Sequence, residues 1–102
     1  MEIEYLDRGA RDAARPPGVR PPDWSHAEVS RLRLVVQCIR AARIPSDVLS
    51  LRSLRLRTDR DDPGRVRTEL SSDRALTLAF KADSSPITAM LDIAPTRTDS
   101  GR

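Results

Sequence analysis

The 102-residue chain is poor in aromatic residues, with one Phe, one Trp and one Tyr. The core therefore has to be built from Leu, Val and Ile, and a platform of aromatic side chains that stack on bases is excluded. There is also a single cysteine, Cys38. An internal disulfide and a multi-cysteine metal site are excluded with it, and we expect neither a metal nor a cofactor.

Lysine is almost absent, since Lys81 is the one lysine among 18 basic residues and the others are arginines. The 15 acidic residues leave a net charge of only +3. Arginine binds phosphate groups through two parallel hydrogen bonds, which suits contact with RNA. A general preference for arginine over lysine would give the same composition, so local clusters of arginine are the better guide.

No apolar stretch approaches transmembrane length, and the opening residues MEIEYLDRGA lack the apolar segment of a signal peptide. The length is that of one domain. We expect a single domain over residues 1–94, a polar tail over 95–102, a cytoplasmic location and no membrane contact.

The clearest local pattern lies in WSHAEV, residues 24–29. Ser25 and Glu28 have the spacing of a capping box, and Trp24 and Val29 that of a hydrophobic staple. The sequence predicts a helix from Ser25 to about Ala42. Its apolar residues recur every three or four positions. They are Val29, Leu32, Val35, Val36, Ile39 and Ala42.

The remaining segments predict a strand, a loop, a short helix and then three more strands. Residues 2–6 alternate as a strand does. Residues 8–23 are expected to form a loop, because the two Pro-Pro pairs of the proline-rich stretch 16–23 forbid a long helix, although Ala10, Ala13 and Ala14 would allow a helical turn. Pro45 should end the long helix, and Ser46 should cap a short one over 47–51. Residues 58–65 predict a turn. The further strands are predicted over 65–71, 74–81 and 87–93.

Short turns between these strands favour antiparallel pairing. One face of the sheet would pack on the helices and the other would stay open. The alternation in RVRTEL places Arg65, Arg67 and Glu69 on the open face, and we expect Arg74 there too. The predicted fold class is α+β.

Four stretches taken together resemble the HigB-like toxins of the RelE superfamily over residues 1–94. They are MEIEYLDRGARDAA, VVQCIRAARIPSDVLSL, LRLRTDRDDPGRVRTELSSDRALTLAF and PITAMLDIA. The resemblance implies an N-terminal strand and two helices packed on a small antiparallel sheet. It also implies a metal-independent endoribonuclease that cleaves mRNA on the ribosome, and a helix-turn-helix antitoxin as partner.

Site residues follow from the same resemblance. Arg55 falls where the family has a histidine, Arg74 at or beside the family's strand arginine, and Asp92 on its C-terminal aspartate. The family's Tyr-His is Ile93-Ala94 here. The implied catalytic set is Arg55, Arg67, Arg74 and Asp92. The implied RNA-binding set is Arg52, Arg57, Arg60, Arg65 and Lys81.

Arginine is a poor general base because its pKa exceeds about 12. Asp92, Glu69 and Lys81 are therefore the candidates for proton transfer. A second hypothesis is a protein of the same fold that binds an antitoxin or nucleic acid without cleaving RNA. A third is an unrelated small α+β interaction protein. A neighbouring gene for a small helix-turn-helix protein would favour the first two over the third.

Overall fold

The structure is a computed structural model that describes residues 1–15, 20–81, 83 and 85–95. In these ranges the chain forms an α+β domain with three α-helices and a five-stranded sheet. The strands are β1 (Glu2–Tyr5), β2 (Arg57–Thr58), β3 (Arg65–Glu69), β4 (Arg74–Lys81) and β5 (Thr88–Pro95). The helices are α1 (Arg8–Ala14), α2 (His26–Ala41) and α3 (Pro45–Leu49), with a 3₁₀ turn at Arg52–Leu54.

The strands lie in the order β1-β5-β4-β3-β2. Neighbours from β2 to β5 are antiparallel, as their short connections predict, but β1 pairs in parallel with β5. The expectation of a purely antiparallel sheet was wrong, and the sheet is mixed. The chain passes through all the helices and three strands between β1 and β5, so no tight turn forces these two to run in opposite directions.

Helix α1 lies in the segment that was predicted as a loop with room for a helical turn at its alanines, and it is longer than that turn. The side chain of Asp7 caps it by accepting a hydrogen bond from the Ala10 N–H at 2.9 Å. Ala10 and Ala13 are fully buried. The prolines that argued against a helix begin only at residue 16, after α1 has ended. Residues 16–19 of the predicted proline-rich loop lie outside the described ranges.

Helix α2 confirms the capping-box prediction. The Ser25 hydroxyl accepts from the Glu28 N–H at 3.1 Å, and a Glu28 carboxylate oxygen accepts from the Ser25 N–H at 2.7 Å. Every predicted apolar residue from Val29 to Ala42 is buried. Within the described ranges, no helix is both long and apolar enough to cross a membrane.

Helix α3 begins one residue before its predicted cap. Pro45 is its first residue, a position where the missing N–H of proline costs nothing. Asp47 takes the role that we assigned to Ser46, because its carboxylate accepts from the backbone N–H groups of Arg43 and Ile44 at 3.0 and 3.4 Å. The two-residue strand β2 was not predicted at all.

The helices cover one face of the sheet, where the aliphatic core lies. Leu76, Leu78 and Leu91 point to this face and are fully buried. The register places Arg65, Arg67 and Glu69 on the opposite, open face, as predicted. Arg74 shares the parity of Leu76 and lies on the helix-covered side, so its predicted place on the open face was wrong.

Arg74 belongs to a clamp that joins the start of α2 to the turn between β3 and β4. Its guanidinium contacts the Glu28 carboxylate at 2.9 Å and that of Asp23 at 3.2 Å. It also lies over the Trp24 ring, 4.5 Å from the centroid, in cation–π geometry. The Ser71 hydroxyl donates to the second Glu28 oxygen at 2.7 Å. Three charged groups are thereby paired at the rim of the core.

Glu28 is 5% exposed, so its charge depends on these partners. Burial alone raises the pKa of the carboxyl group. The Ser25 backbone N–H, the Ser71 hydroxyl and the Arg74 charge outweigh burial and hold the pKa of Glu28 below its ordinary value of 4.5. Because the folded-state pKa is depressed, the ionised carboxylate stabilises the fold above about pH 4.5, and this contribution is lost as the pH falls below it.

Glu28→Gln should lower the free energy of unfolding at pH 7, because a buried ion pair and a charged acceptor are lost. The difference from the unmodified protein should shrink as the pH falls below about 4.5, where protonation removes the same charge. Urea unfolding between pH 3 and 7 measures both effects. Glu2→Gln, at an exposed carboxylate on β1, is the matched control and should change stability little. A Glu28→Gln effect of equal size at pH 3 and pH 7 would contradict this account.

Candidate functional site

A cleft of about 690 Å³ lies beside the outer end of β3. Its walls come from α2, the 3₁₀ turn, β2 and the end of β3. Nine residues line it: Arg31, Arg52, Ser53, Arg55, Arg57, Thr68, Glu69, Leu70 and Ser71. Four are arginines and one is acidic, so the lining is strongly positive although the whole chain carries only +3.

Arg31 builds the inner part of the cleft. It projects from α2 and donates to the carbonyls of Ser53 and Leu54 at 2.9 and 2.8 Å and to the Thr68 hydroxyl at 3.2 Å. The Thr68 hydroxyl also donates to the Leu54 carbonyl at 2.6 Å, in a buried position. Helix α2, the 3₁₀ turn and β3 are therefore joined by one guanidinium and one hydroxyl.

Arg55 opens the cleft through its backbone conformation. It has φ 52° and ψ 42°, in the left-handed region that an L-residue with a side chain seldom adopts. Arg57 pairs with Arg67, so in a regular ladder Arg55 would pair with Glu69. Instead the Arg55 N–H bonds back to the Arg52 carbonyl at 3.0 Å. The chain leaves the sheet at this residue, and the cleft occupies the gap.

Three cleft arginines carry unused hydrogen-bonding capacity. The side chains of Arg52, Arg55 and Arg57 are exposed and make no ion pair or hydrogen bond with any described residue. Each guanidinium presents a planar fork of donors to solvent. Non-glycine residues with a left-handed backbone cluster at functional sites, and they persist only where surrounding contacts hold them. The arrangement is therefore suited to binding an anion.

Glu69 is the one carboxylate among the cleft-lining residues. It is exposed and makes no ion pair with a described residue. Glu69 is one of the three residues that the sequence offers for proton transfer. In the fold it lines the same cleft as the unpaired arginines. The other two candidates, Asp92 and Lys81, do not line the cleft.

Arg67 and Asp92 share the open face of the sheet but are separated there. The register places them in one row with Thr77 between them, two strand spacings or about 10 Å apart. Arg67 reaches over to β5 and donates to the Pro95 carbonyl at 2.9 Å. The Asp92 carboxylate accepts from the neighbouring Ile93 N–H at 2.8 Å. Both side chains are used within the fold.

The other predicted residues are dispersed. Arg74 lies in the clamp with Glu28, on the opposite side of the sheet from Arg67 and Asp92. Arg65 lies 3.9 Å from the Asp62 carboxylate, and Lys81 pairs with Glu4 at 3.3 Å near the far edge of the sheet. Arg60 is exposed in the turn before β3. The implied catalytic set of Arg55, Arg67, Arg74 and Asp92 is therefore not assembled at one place, whereas Arg52, Arg55 and Arg57 are.

Sequence reasoning missed Arg31 as part of the site. Arg31 is not among the apolar residues of α2, and the local sequence says nothing of its contact with Thr68, 37 residues away. One usable signal was the pair Arg31 and Glu28, one helical turn apart beside an apolar stripe.

The described residues contain no group of three or more His, Cys, Asp or Glu side chains that could hold a metal ion. Comparison of the chain with protein-family models and with curated proteins found no match.

Arg31→Ala should lower the free energy of unfolding by about 2 kcal/mol, since hydrogen bonds from a charged donor are lost and the buried Leu54 carbonyl loses one of its two donors. Arg40→Ala is the matched control, because Arg40 is an exposed arginine of the same helix without a partner among the described residues. Chemical denaturation of both variants tests this. Equal effects at the two positions would contradict a bridging role for Arg31.

Proposed function

We propose that the protein is an mRNA-cleaving toxin of the HigB-like class and that its arginine-lined cleft binds the RNA backbone. One observation carries the proposal. Arg52, Arg55 and Arg57 line a single cleft and form no ion pair with a described residue, whereas Arg31, Arg67 and Arg74 are engaged within the fold. The α+β class agrees with the resemblance, although the sheet is mixed and three helices are present instead of two. The cleft is the proposed site for the substrate.

Phosphate is the ligand class that the lining favours. Guanidinium groups bind phosphate oxygens in bidentate fashion and remain charged at all cellular pH values. None of the described residues that line the cleft is aromatic, so stacking on bases has no part in the proposed binding. Binding should therefore depend on the backbone of the RNA and only weakly on its sequence.

The size of the cleft favours a single strand over a duplex. Its volume of about 690 Å³ falls within the range of small-ligand sites, roughly 300–1,000 Å³. One or two nucleotides of a flexible strand fit such a space, but the body of a double helix does not. Single-stranded mRNA is the proposed substrate.

Cleavage would proceed by attack of a ribose 2′-oxygen on the adjacent phosphorus, with the bond from phosphorus to the 5′-oxygen breaking. In this scheme Glu69 accepts the 2′-OH proton as general base. The three free arginines stabilise the negative charge that develops on the phosphoryl oxygens. Water donates the proton to the leaving 5′-oxygen, since the described lining residues include no histidine, tyrosine or lysine.

A second candidate is a protein that binds RNA in the same cleft without cleaving it. It is favoured because the nine described lining residues offer no histidine, tyrosine or lysine to protonate the leaving oxygen. Ribosome-bound mRNA as substrate, a helix-turn-helix antitoxin as partner and the cytoplasm as the place of action all belong to the first proposal.

A plot of the logarithm of the association constant for single-stranded RNA against the logarithm of the salt concentration should have a slope of about −2. Each phosphate neutralised on a single strand contributes about −0.7, and three arginines are proposed to act. Arg52→Ala, Arg55→Ala and Arg57→Ala should each make the slope shallower by about 0.7. Fluorescence anisotropy with a labelled oligonucleotide between 50 and 400 mM salt measures this.

Arg11→Ala is the control for that series. It removes the same charge from α1, which packs near β1 and β5 at the opposite edge of the sheet from the cleft. Its slope should match that of the unmodified protein. Equal slopes for all four variants would show that binding reflects overall charge and that the cleft is not the site.

Glu69→Gln should reduce cleavage by about 100-fold or more, the range for loss of a general base, while RNA binding is retained. The measurement is the mapping of new mRNA 5′ ends after purified protein is added to a translating bacterial extract. Glu2→Gln is the matched carboxylate control and should cleave normally. If the unmodified protein yields no new 5′ ends but binds RNA with the expected salt slope, the binding-only candidate replaces the nuclease.

A further inference from the structure

The backbone of Glu69 faces the same cleft as the free arginines. The Leu70 N–H donates to the Arg74 carbonyl at 2.8 Å, so the even-numbered residues of β3 direct their N–H and C=O groups to β4. The residues between them direct theirs to β2, as shown by the Arg65 carbonyl, which accepts from the Asp59 N–H at 2.8 Å. By this alternation the Glu69 N–H points away from β4 and toward the cleft.

The partner that this N–H would have in a regular ladder has been removed. Two residues along from the Arg57 and Arg67 pair, Glu69 would meet Arg55. Arg55 is left-handed and its own N–H is bonded to Arg52, so it offers Glu69 no ladder contact. A strand-edge N–H that faces a positively charged cleft is a ready donor for an anion, since backbone N–H groups and arginines bind phosphate in combination.

We propose that the Glu69 backbone N–H is a phosphate-binding group, acting with Arg52, Arg55 and Arg57 on one phosphoryl oxygen or neighbouring oxygens of one phosphate. The inference deepens the proposed function, since it names an atom of the RNA-binding cleft, but it concerns phosphate chemistry and does not require cleavage. The left-handed backbone of Arg55 creates this site by withdrawing the chain that would otherwise cover the N–H.

The arginine side chains alone would not fix the position of a phosphate. They are long and exposed, and their ends are free to move, whereas the Glu69 N–H is held by the pairing of β3 with β4. A rigid donor among flexible ones sets the location of the bound oxygen, and preorganised donors lose little freedom when the ligand binds. The Glu69 side chain, on the same residue, is thereby kept beside the bound phosphate.

The first test is titration of the ¹⁵N-labelled, unmodified protein with inorganic phosphate, followed by amide NMR. The Glu69 amide should shift with a saturable dependence on phosphate. The amide of Leu70, which donates to the Arg74 carbonyl, and that of Arg74, which donates to the Ser71 hydroxyl, should shift less. A Glu69 amide that does not respond while the cleft arginine side chains do would overturn the inference.

Glu69→Pro removes the N–H from the strand edge, the one side of a sheet where proline is tolerated. Glu69→Gln is its matched control, since it removes the same charge and keeps the N–H. Phosphate should bind about tenfold more weakly to Glu69→Pro than to Glu69→Gln. Equal affinities in two folded variants would overturn the proposal. If Glu69→Pro does not fold, the NMR titration of the unmodified protein decides.

Two variants of Arg55 test how the site is made. Arg55→Gly keeps the left-handed backbone at no steric cost and should preserve the shift of the Glu69 amide on phosphate addition. Arg55→Val disfavours that backbone, because a β-branched residue avoids positive φ. The amide shift should then be at least fivefold smaller at the same phosphate concentration. A shift that is the same in both variants would count against a site made by Arg55.

Titration with a short single-stranded RNA oligonucleotide, followed by the Glu69 amide shift and the salt slope of binding, separates this inference from the proposed function. If RNA binds with the arginine-dependent salt slope but leaves the Glu69 amide unshifted, the inference fails and the proposed function stands. If inorganic phosphate shifts the Glu69 amide but RNA does not bind, the proposed function fails and the phosphate site stands.

Discussion

The carboxylate of Glu28 closes the contact between the first turn of α2 and the turn that joins β3 to β4. It accepts hydrogen bonds from the Ser25 N–H and the Ser71 hydroxyl and pairs with Arg74. An ionised group that is 5% exposed is stable only while all of these partners remain, because each one offsets part of the cost of burial. Ser71 lines the cleft, so the same clamp fixes one of its walls.

Arg31 repeats this arrangement one helical turn further along α2. Its guanidinium holds the carbonyls of Ser53 and Leu54 and the hydroxyl of Thr68. Those carbonyls directly precede Arg55, whose left-handed backbone turns the chain out of the sheet. Two charged residues of one helix thus determine where the cleft opens and how wide it is, although neither belongs to the group of free side chains that would meet a ligand.

The arginines of this chain fall into groups that composition alone does not separate. Arg31 and Arg74 are structural, and Arg65 and Arg67 are engaged with an aspartate and a backbone carbonyl. Arg52, Arg55 and Arg57 are free of partners among the described residues. An excess of arginine over lysine therefore says little by itself. Other exposed arginines, such as Arg40 and Arg60, also lack a side-chain partner among the described residues but do not line the cleft. The informative fact is that three unpaired guanidinium groups share one cleft with Glu69 and with a strand edge that lacks its neighbour. This arrangement supports anion binding more directly than it supports proton transfer.

The features that could be predicted from the sequence are those that depend on residues close together in the chain. The capping box of Ser25 and Glu28, the apolar stripe of α2 and the period-two alternation of β3 and β4 were all recognisable, because each depends on residues within a turn or a strand of one another. For α1 the sequence allowed only a helical turn, because the prolines at 16 and 17 argued against a longer helix. The cap at Asp7, which begins the full helix, is shown only by the structure. The parallel pairing of β1, the place of Arg74 and the left-handed turn at Arg55 depend on contacts between residues far apart in the chain. Arg74 lies 46 positions from its partner Glu28, and no local pattern carries such a pairing. The sequence by itself determined the α+β class and the supply of arginines, whereas only the tertiary structure decided which arginines hold the fold together and which remain free to bind.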